Sequence, residues 1–448
     1  MKNISIWKDS IKKSIKFKKL DKDINTDVLI IGGGIVGINI YKELQKMKLN
    51  VILVEQNKIG MSTTSNSTGK LSFLQNDLID KIRYCFNDTV ASFYLKSQIK
   101  AIHLAVNKKK KEKIDCDLEK VDSILYTNND NEINKLKDLV SFFEQNGLKV
   151  ENGNCSFVES KYMFKVKDTY IFNPLKYLYN VIDKNDNIYE NTSIQKIKED
   201  YDGYISYTSN NVIKSKWVIL ASHYPYFNIP YFFPVKGSIE KSYLSASKYH
   251  GKKLSLISYS NPFISLRTYK DYLIYLSNSQ KINKNVNVID NFSELIKKVH
   301  DLKLKPNYLW SNSDIITNDG LPYIGEIKKN MIIATGFNTW GLATSFLVPK
   351  IIKDIILERK SDYITLFDPM RSNIDQLIKP FGNICNNVNG YIKGLISKNK
   401  KISCPHMGCK LIYNEIEKTW DCPCHGSRFN SKGECIASPS NKNIKIDN

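Results

Sequence analysis

Residues 27–56 read DVLIIGGGIVGINIYKELQKMKLNVILVEQ. The opening DVLII is short, apolar and β-branched, and the glycines after it break the strand. The stretch that follows spaces its apolar residues as a helix does, and VILV returns to strand character. Such a βαβ unit builds a parallel sheet. Gly32, Gly34 and Gly37 form G-x-G-x-x-G at the strand-to-helix turn, and Glu55 closes the second strand eighteen residues after Gly37. Glycine lets the backbone approach a pyrophosphate, the helix N-terminus favours negative charge, and the carboxylate accepts from ribose hydroxyls. With all three features in register, the unit predicts a bound dinucleotide rather than a coincidental glycine turn.

Working outward, GMSTTSNSTGKLS (Gly60 to Ser72) is small and hydroxyl-rich, able to wrap a pyrophosphate and a flavin edge. It favours FAD over NAD and makes Thr63, Thr68 and Lys70 candidate cofactor contacts. A later segment, ATGFNTWG (Ala334 to Gly341), is a second glycine turn opening a helix. Gly336 and Gly341 are its candidates, and the helix dipole there would stabilise an anionic reduced flavin.

The residues after Gln56 keep a mostly helical period, and beyond about Val150 the pattern becomes strand-like and aromatic. The expected architecture is α/β plus β: a Rossmann-type FAD domain interleaved with a β-rich substrate domain, then a small all-β unit. We assign 1–150 to the FAD-binding part with a helical insertion and 151–330 mainly to the substrate domain, with FAD-contacting strands near 190–224. Residues 331–370 return to the FAD domain. Residues 371–397 read as an Asn-, Lys- and Gly-rich linker, and 398–448 as the terminal unit.

Length and composition agree. At 448 residues the chain is long enough for two domains and an appendage, at roughly 100 to 200 residues per domain. The formal charge is +21, but the lysines are scattered, and the densest run, Lys108 to Lys111, reads as a solvated helix face. No nucleic-acid partner is expected. The N-terminus lacks an uninterrupted apolar core, and no run approaches about 18 apolar residues. The expectation is a cytoplasmic protein with no transmembrane segment. Of nine cysteines, five fall between Cys404 and Cys435, a clustering that reads first as metal binding.

CPHMGC (Cys404 to Cys409) and CPCHGS (Cys422 to Ser427) lie twelve residues apart. C-x-H in one loop and C-x-x-H in the other each offer one thiolate and one imidazole, the set a Rieske two-iron two-sulfur centre needs. A four-cysteine zinc site is the competing reading.

The dinucleotide fingerprint, NTSIQKI, VILASHYP and the DGLPYIG turn make residues 5 to 365 resemble the glycine oxidase and D-amino-acid oxidase superfamily of FAD enzymes. WSNSDIITNDGLPYIG together with the terminal cysteines resembles its Rieske-fused subgroup. The first resemblance adds Ile194, in the adenine-side segment, to the cofactor contacts. The second implies that Cys404 and Cys422 hold one iron, His406 and His425 the other, and that Cys409 and Cys424 form a disulfide between the loops. Ser427 matches the serine that bonds a bridging sulfide in Rieske proteins of high potential, whereas Phe429 stands where those proteins place a tyrosine. The unit is also short, with little room for the strands that usually form its base.

Amino-acid oxidases of this superfamily carry a substrate-carboxylate arginine five residues before the Asp of the D-G-x-P turn. Here that turn starts at Asp319, and the position holds Asp314. The resemblance therefore points away from a simple carboxylate and towards a cationic amine, unless Asp314 serves a local ion pair or cap. Arg267, on a strand, is a candidate anion receptor. His223 falls where the family's strand passes the flavin, in either a catalytic or a structural role.

The function expected is FAD-dependent oxidation of a small amine-like substrate, with electrons passing through the cluster to an external acceptor. The alternative is a redox sensor or electron carrier with a degenerate flavin domain. A single glycine fingerprint argues against an NADH-dependent reductase. The remaining histidines, His103, His223, His250 and His300, lack the spacing of a mononuclear iron site.

Overall fold

The computed structural model describes residues 1–448 apart from 12–14, 225–235, 261, 283–287, 372–401, 407 and 447–448. The expected linker 371–397 falls outside the described residues except for Arg371.

The fingerprint unit nucleates an eight-stranded sheet. Its central path runs Tyr323–Lys328, Met331–Thr335, Val212–Leu220, Ile24–Ile31, Val51–Val54 and Ile188–Tyr189, with the hairpin Lys196–Asp200/Gly203–Tyr207 attached. From Met331–Thr335 to Ile188–Tyr189 every neighbouring pair is parallel. The carboxyl-terminal parts of the two central strands, residues 28–31 and 218–220, and all of Val51–Val54 are buried apolar runs because both faces are covered there. Val28 and Ile30 pack into the main core with Ile38, Tyr41 and Leu44 of the helix Ile35–Gln45. Leu29 and Ile31 join Tyr204 and Ile213 on the opposite face. Gly32, Glu55 and Ala221 each follow directly on the carboxyl end of a parallel strand, so the loops converge where ligands of doubly wound sheets bind.

A second sheet of nine strands runs Pro306–Thr317, Gly237–Lys248, Tyr272–Lys281, Ser265–Tyr269, Ser255–Ser258, Glu119–Thr127, Tyr162–Ile171 and Lys70–Leu71, with Val150–Asn152 at its side. The division at residue 150 is too coarse: Lys70–Leu71 and Glu119–Thr127 belong to this second sheet. Glu119–Thr127 pairs in parallel with Ser255–Ser258 across a long stretch of chain, a contact that local periodicity does not reveal.

The helix Asp88–Lys111 is capped by Asn87, whose side chain accepts from the Val90 amide at 2.9 Å. It ends in Lys108 to Lys111, where cations suit the dipole, and Lys108 pairs with Glu112 at 2.7 Å. Lys110 and Lys111 are exposed, as expected of a solvated face, whereas Lys109 is half-buried and Lys108 is largely covered at its pair with Glu112. Among the described residues no helix is long and apolar enough to cross a membrane.

The terminal unit is an antiparallel sheet of four three-residue strands, Ile412–Asn414, Thr419–Asp421, Arg428–Asn430 and Cys435–Ala437. Its small core holds Cys404, Cys409, Cys422, Cys424, Phe429 and Ile444.

Candidate active site and iron-sulfur centre

The strand ends and the second sheet enclose one elongated cavity. Gly32 has φ +117°, and a Cβ on it would sit 2.8 Å from the Ala221 backbone. Gly34 caps the helix Ile35–Gln45 without any side-chain bond to the helix amides, and the Ile35 amide donates to Thr64 Oγ1 at 3.1 Å. Gly37 lies behind the cavity: a Cβ there would meet the Gly32 carbonyl at 2.0 Å, so it serves the close packing of helix on strand. Glu55 accepts from the Gly33 amide at 2.7 Å and from the Asn57 amide at 2.8 Å, while burial pushes its carboxyl above the usual range. Thr63, Thr68, Lys70, Ile194 and Gly341 also line the cavity. Trp340 does too, and its buried indole N–H has no protein partner. Open backbone, a helix start whose cap residue has no side chain, a carboxyl group and an unused donor all line this cavity and suit FAD.

Two glycine-turn expectations fail. Gly336 does not reach the cavity: it takes φ +70°, and a Cβ there would meet Thr317 at 2.7 Å and Tyr323 at 3.2 Å. The helix after it, Gly341–Thr344, has four residues, too few to sum a useful macrodipole.

The floor is the second sheet. Asp314 lines the cavity, accepts from the Asn312 amide group at 3.0 Å, and stands opposite Glu240 across the strand pair. Burial, with Glu240 as a like charge, pushes its carboxyl up to about 7. Glu240, invisible in sequence because strand register is, is also raised by burial. At the far end Lys70 is buried, its Nζ donating to the Leu256 carbonyl at 2.9 Å, and burial pulls its ammonium well down.

Arg267 is not an anion receptor facing the cavity. It is fully buried, gives Nη1 to the Thr68 carbonyl at 3.0 Å and to the Gly69 carbonyl, and gives Nε to the Thr268 carbonyl at 3.2 Å. It clamps the cofactor loop, and its guanidinium lies 5.2 Å from the Trp7 ring. His223 does line the cavity. Burial lowers its imidazole to about 4, leaving it neutral, and its Nε2 is buried without a partner.

In the terminal unit the rings of His406 and His425 lie 5.1 Å apart at 90°, and the Nδ1 of each is buried without a partner. The Cys404 and Cys422 thiols interact, which with burial pushes Cys422 far up. Cys409 and Cys424 form a disulfide, Cα atoms 6.5 Å apart, with both sulfurs within 4.8 Å of that of Cys422. Two thiols and two orphaned imidazole nitrogens fit a two-iron cluster ligated by histidine and cysteine. The disulfide removes two of the thiolates a four-cysteine zinc site would need. Ser427 Oγ accepts from the Ser440 amide at 2.9 Å, and Phe429 is fully buried in the same core.

The model of the FAD dependent oxidoreductase family, DAO, matches residues 27–355. The chain belongs to this family. A Rieske [2Fe-2S] domain model matches residues 400–446. The flavoprotein is 27% identical over 482 residues to the Rieske 2Fe-2S iron-sulfur protein YhfW of Bacillus subtilis, covering 96% of this chain and 94% of that one. In the Rieske region, 44 residues are 36% identical to a cytochrome b6-f complex iron-sulfur subunit of Trichormus variabilis, covering 10% of this chain and 25% of that protein. Glycine oxidase from Geobacillus kaustophilus shares the fold at TM-score 0.64 and 17% identity, over 78% of this chain and 99% of that one. L-amino acid deaminase from Proteus vulgaris does so at 0.65 and 15%, over 81% and 97%. The flavoprotein is thus an FAD-dependent oxidoreductase with a Rieske two-iron two-sulfur centre.

The Rieske unit of this DAO-family protein rests on the second, nine-stranded sheet. Lys241 of that sheet ion-pairs with Asp421 and lies 3.9 Å from Glu417, and Arg428 pairs with Glu417 at 2.8 Å and Asp421 at 3.0 Å. Ser311 gives its amide to Glu417 at 3.1 Å. The two cations and two carboxylates are nearly enclosed and balance one another. The short base is therefore made good by the flavoprotein's own sheet. Ile436 and Ser438 complete the cavity wall, and the Asn441 side chain donates to the Ile194 carbonyl at 3.4 Å.

Proposed function

We propose that this flavoprotein oxidises a small amine-like substrate on FAD and passes the electrons through the Rieske centre to an external acceptor. The observation that carries the substrate class is Asp314, a carboxyl group lining the cavity and paired across the strands with a second one, Glu240; among the described residues Asp314 has no salt bridge, and Lys281 and Lys81 act on Glu240 alone. A protonated amine would relieve that like-charge pair. Gly32, Gly34, Glu55, Thr63, Thr68, Ile194 and Gly341 would hold FAD, which supplies two-electron acceptance. Cys404 and Cys422 would ligate one iron, and His406 and His425, through Nδ1, the other. His223, neutral and with its Nε2 unpartnered, would contact cofactor or substrate rather than act as a charged acid. Cys85, Cys116 and Cys155 are outside any disulfide, which accords with a cytoplasmic location.

The test is anaerobic bleaching of the flavin by a panel of amines, amino acids and hydroxy acids. Cationic amines should reduce wild type fastest, and Asp314→Arg should move the preference towards carboxylates. An unchanged profile in the variant would show Asp314 to be structural. A flavin that no member of the panel reduces would favour the redox-sensor reading instead.

A further inference from the structure

The cavity and the cluster share a wall. His223 borders the cofactor cavity on one side and, with Tyr224, a small gap on the other; that gap is closed by His425, Gly426 and Ser438 of the Rieske unit and by Thr63 and Asn312. The ring centroids of Tyr224 and His425 are 5.9 Å apart. The two histidines differ in exposure: His425 is buried at 6%, whereas His406 is half-buried in a loop whose Pro405 and Gly408 are exposed. The buried ring faces the flavin side and the other faces out.

We propose that Tyr224 and His223 couple the flavin cavity to the cluster, so that electrons enter at His425 and leave at His406. This rests on the electron-transfer function proposed above and gives it a direction. Each passage moves one electron. The histidine-bound iron goes from ferric to ferrous as the reduced flavin gives up that electron and releases a proton to solvent. A one-electron acceptor docking at the His406 face takes the electron on. Both residues belong to the VILASHYP segment: Tyr224 is placed by the turn after Val212–Leu220, and His223 is held by a hydrogen bond to the Ser313 backbone that leaves its Nε2 without a partner.

The experiment uses the full chain loaded with FAD and cluster, without substrate. A photoreductant in light reduces the flavin anaerobically, and the rhombic paramagnetic signal of the reduced cluster is followed in time. In wild type the signal should rise at a rate independent of protein concentration. Tyr224→Leu should slow it by an order of magnitude, while FAD content, cluster content and both midpoints stay as in wild type; His223→Leu, whose ring lines the cofactor cavity, should slow it as much when the rate is taken per bound FAD. Tyr224→Phe, which keeps the ring, should restore the rate. Wild-type rates in both leucine variants, or a rate that grows with protein concentration, would overturn the bridge and leave the proposed function standing. A wild-type cluster that stays oxidised beside fully reduced flavin would overturn both. If Tyr224→Leu does not fold, His223→Leu against Tyr224→Phe decides the matter.

Discussion

Glu240 and Asp314 are direct cross-strand partners, two acidic residues where an opposite-charge pair would be stabilising, and Asp314 of the two lines the large cavity. An aspartate is ionised in the unfolded chain above about pH 4. Asp314 keeps its proton to about 7 when folded, so the folded state binds the extra proton between those values and stability falls as pH rises through that window. Asp314→Asn should therefore leave thermal stability nearly unchanged near pH 4 and raise it at pH 8. Because the site opens onto the cavity, the gain should be roughly 1 to 2 kcal/mol. Affinity for a cationic amine should rise through about pH 7 in wild type and not in the variant. Equal stabilisation at both pH values would refute the assignment.

Gly34→Val should yield a folded protein that lacks flavin. A Cβ at Gly34 meets only Thr64 Oγ1, at 3.3 Å, but it occupies the turn where the pyrophosphate would lie. Gly37→Val should instead lower folding yield, because its Cβ collides with the Gly32 carbonyl at 2.0 Å. Flavin absorbance per mole of soluble protein separates the two, and full FAD in Gly34→Val would contradict the cradle.

Phe429→Tyr should raise the cluster midpoint, and Ser427→Ala should lower it. Histidine ligation places such centres at roughly −150 to +300 mV, against about −400 mV for plant-type ferredoxins, and each donor to a sulfur stabilises the more negative reduced state. With a phenylalanine at 429, wild type should lie in the lower half of that range. Redox titration decides it; an unchanged or lower midpoint in Phe429→Tyr would mean that the ring does not face the cluster.

Lys241→Met should loosen the Rieske unit. Removing one member of a buried charge network strands the others, at a cost of about 3 to 5 kcal/mol. The doubly substituted Lys241→Met with Asp421→Leu should recover much of that, since cation and carboxylate leave together. Limited proteolysis and thermal unfolding would show it, and a single variant as stable as wild type would mean the network is not what holds the unit.

What the sequence made legible was local. The strand, glycine turn and helix of residues 27–45, Glu55 at the end of its strand, and the two Cys-His loops each declare themselves within a few residues. What it hid depends on distant pairing. Arg267 passed for a ligand receptor because an arginine on a strand is conspicuous, yet its surroundings are set by Thr68 and Gly69, which no local pattern brings to it. Glu240 gained meaning only through its register with Asp314. Gly336 belonged to a turn that packs on Tyr323 rather than on cofactor. Lys241, Glu417, Asp421 and Arg428 carry no local pattern, and only the packing of two sheets brings them together.

The contact of Asn441 with Ile194, and the presence of Ile436 and Ser438 in the cavity wall, bear on biogenesis. A ribosome delivers the glycine turn, Glu55 and the floor strands before the segment that shuts them in. Until that segment is made, the cavity lacks one side. FAD therefore has its easiest entry early, and the terminal unit acts as the stopper.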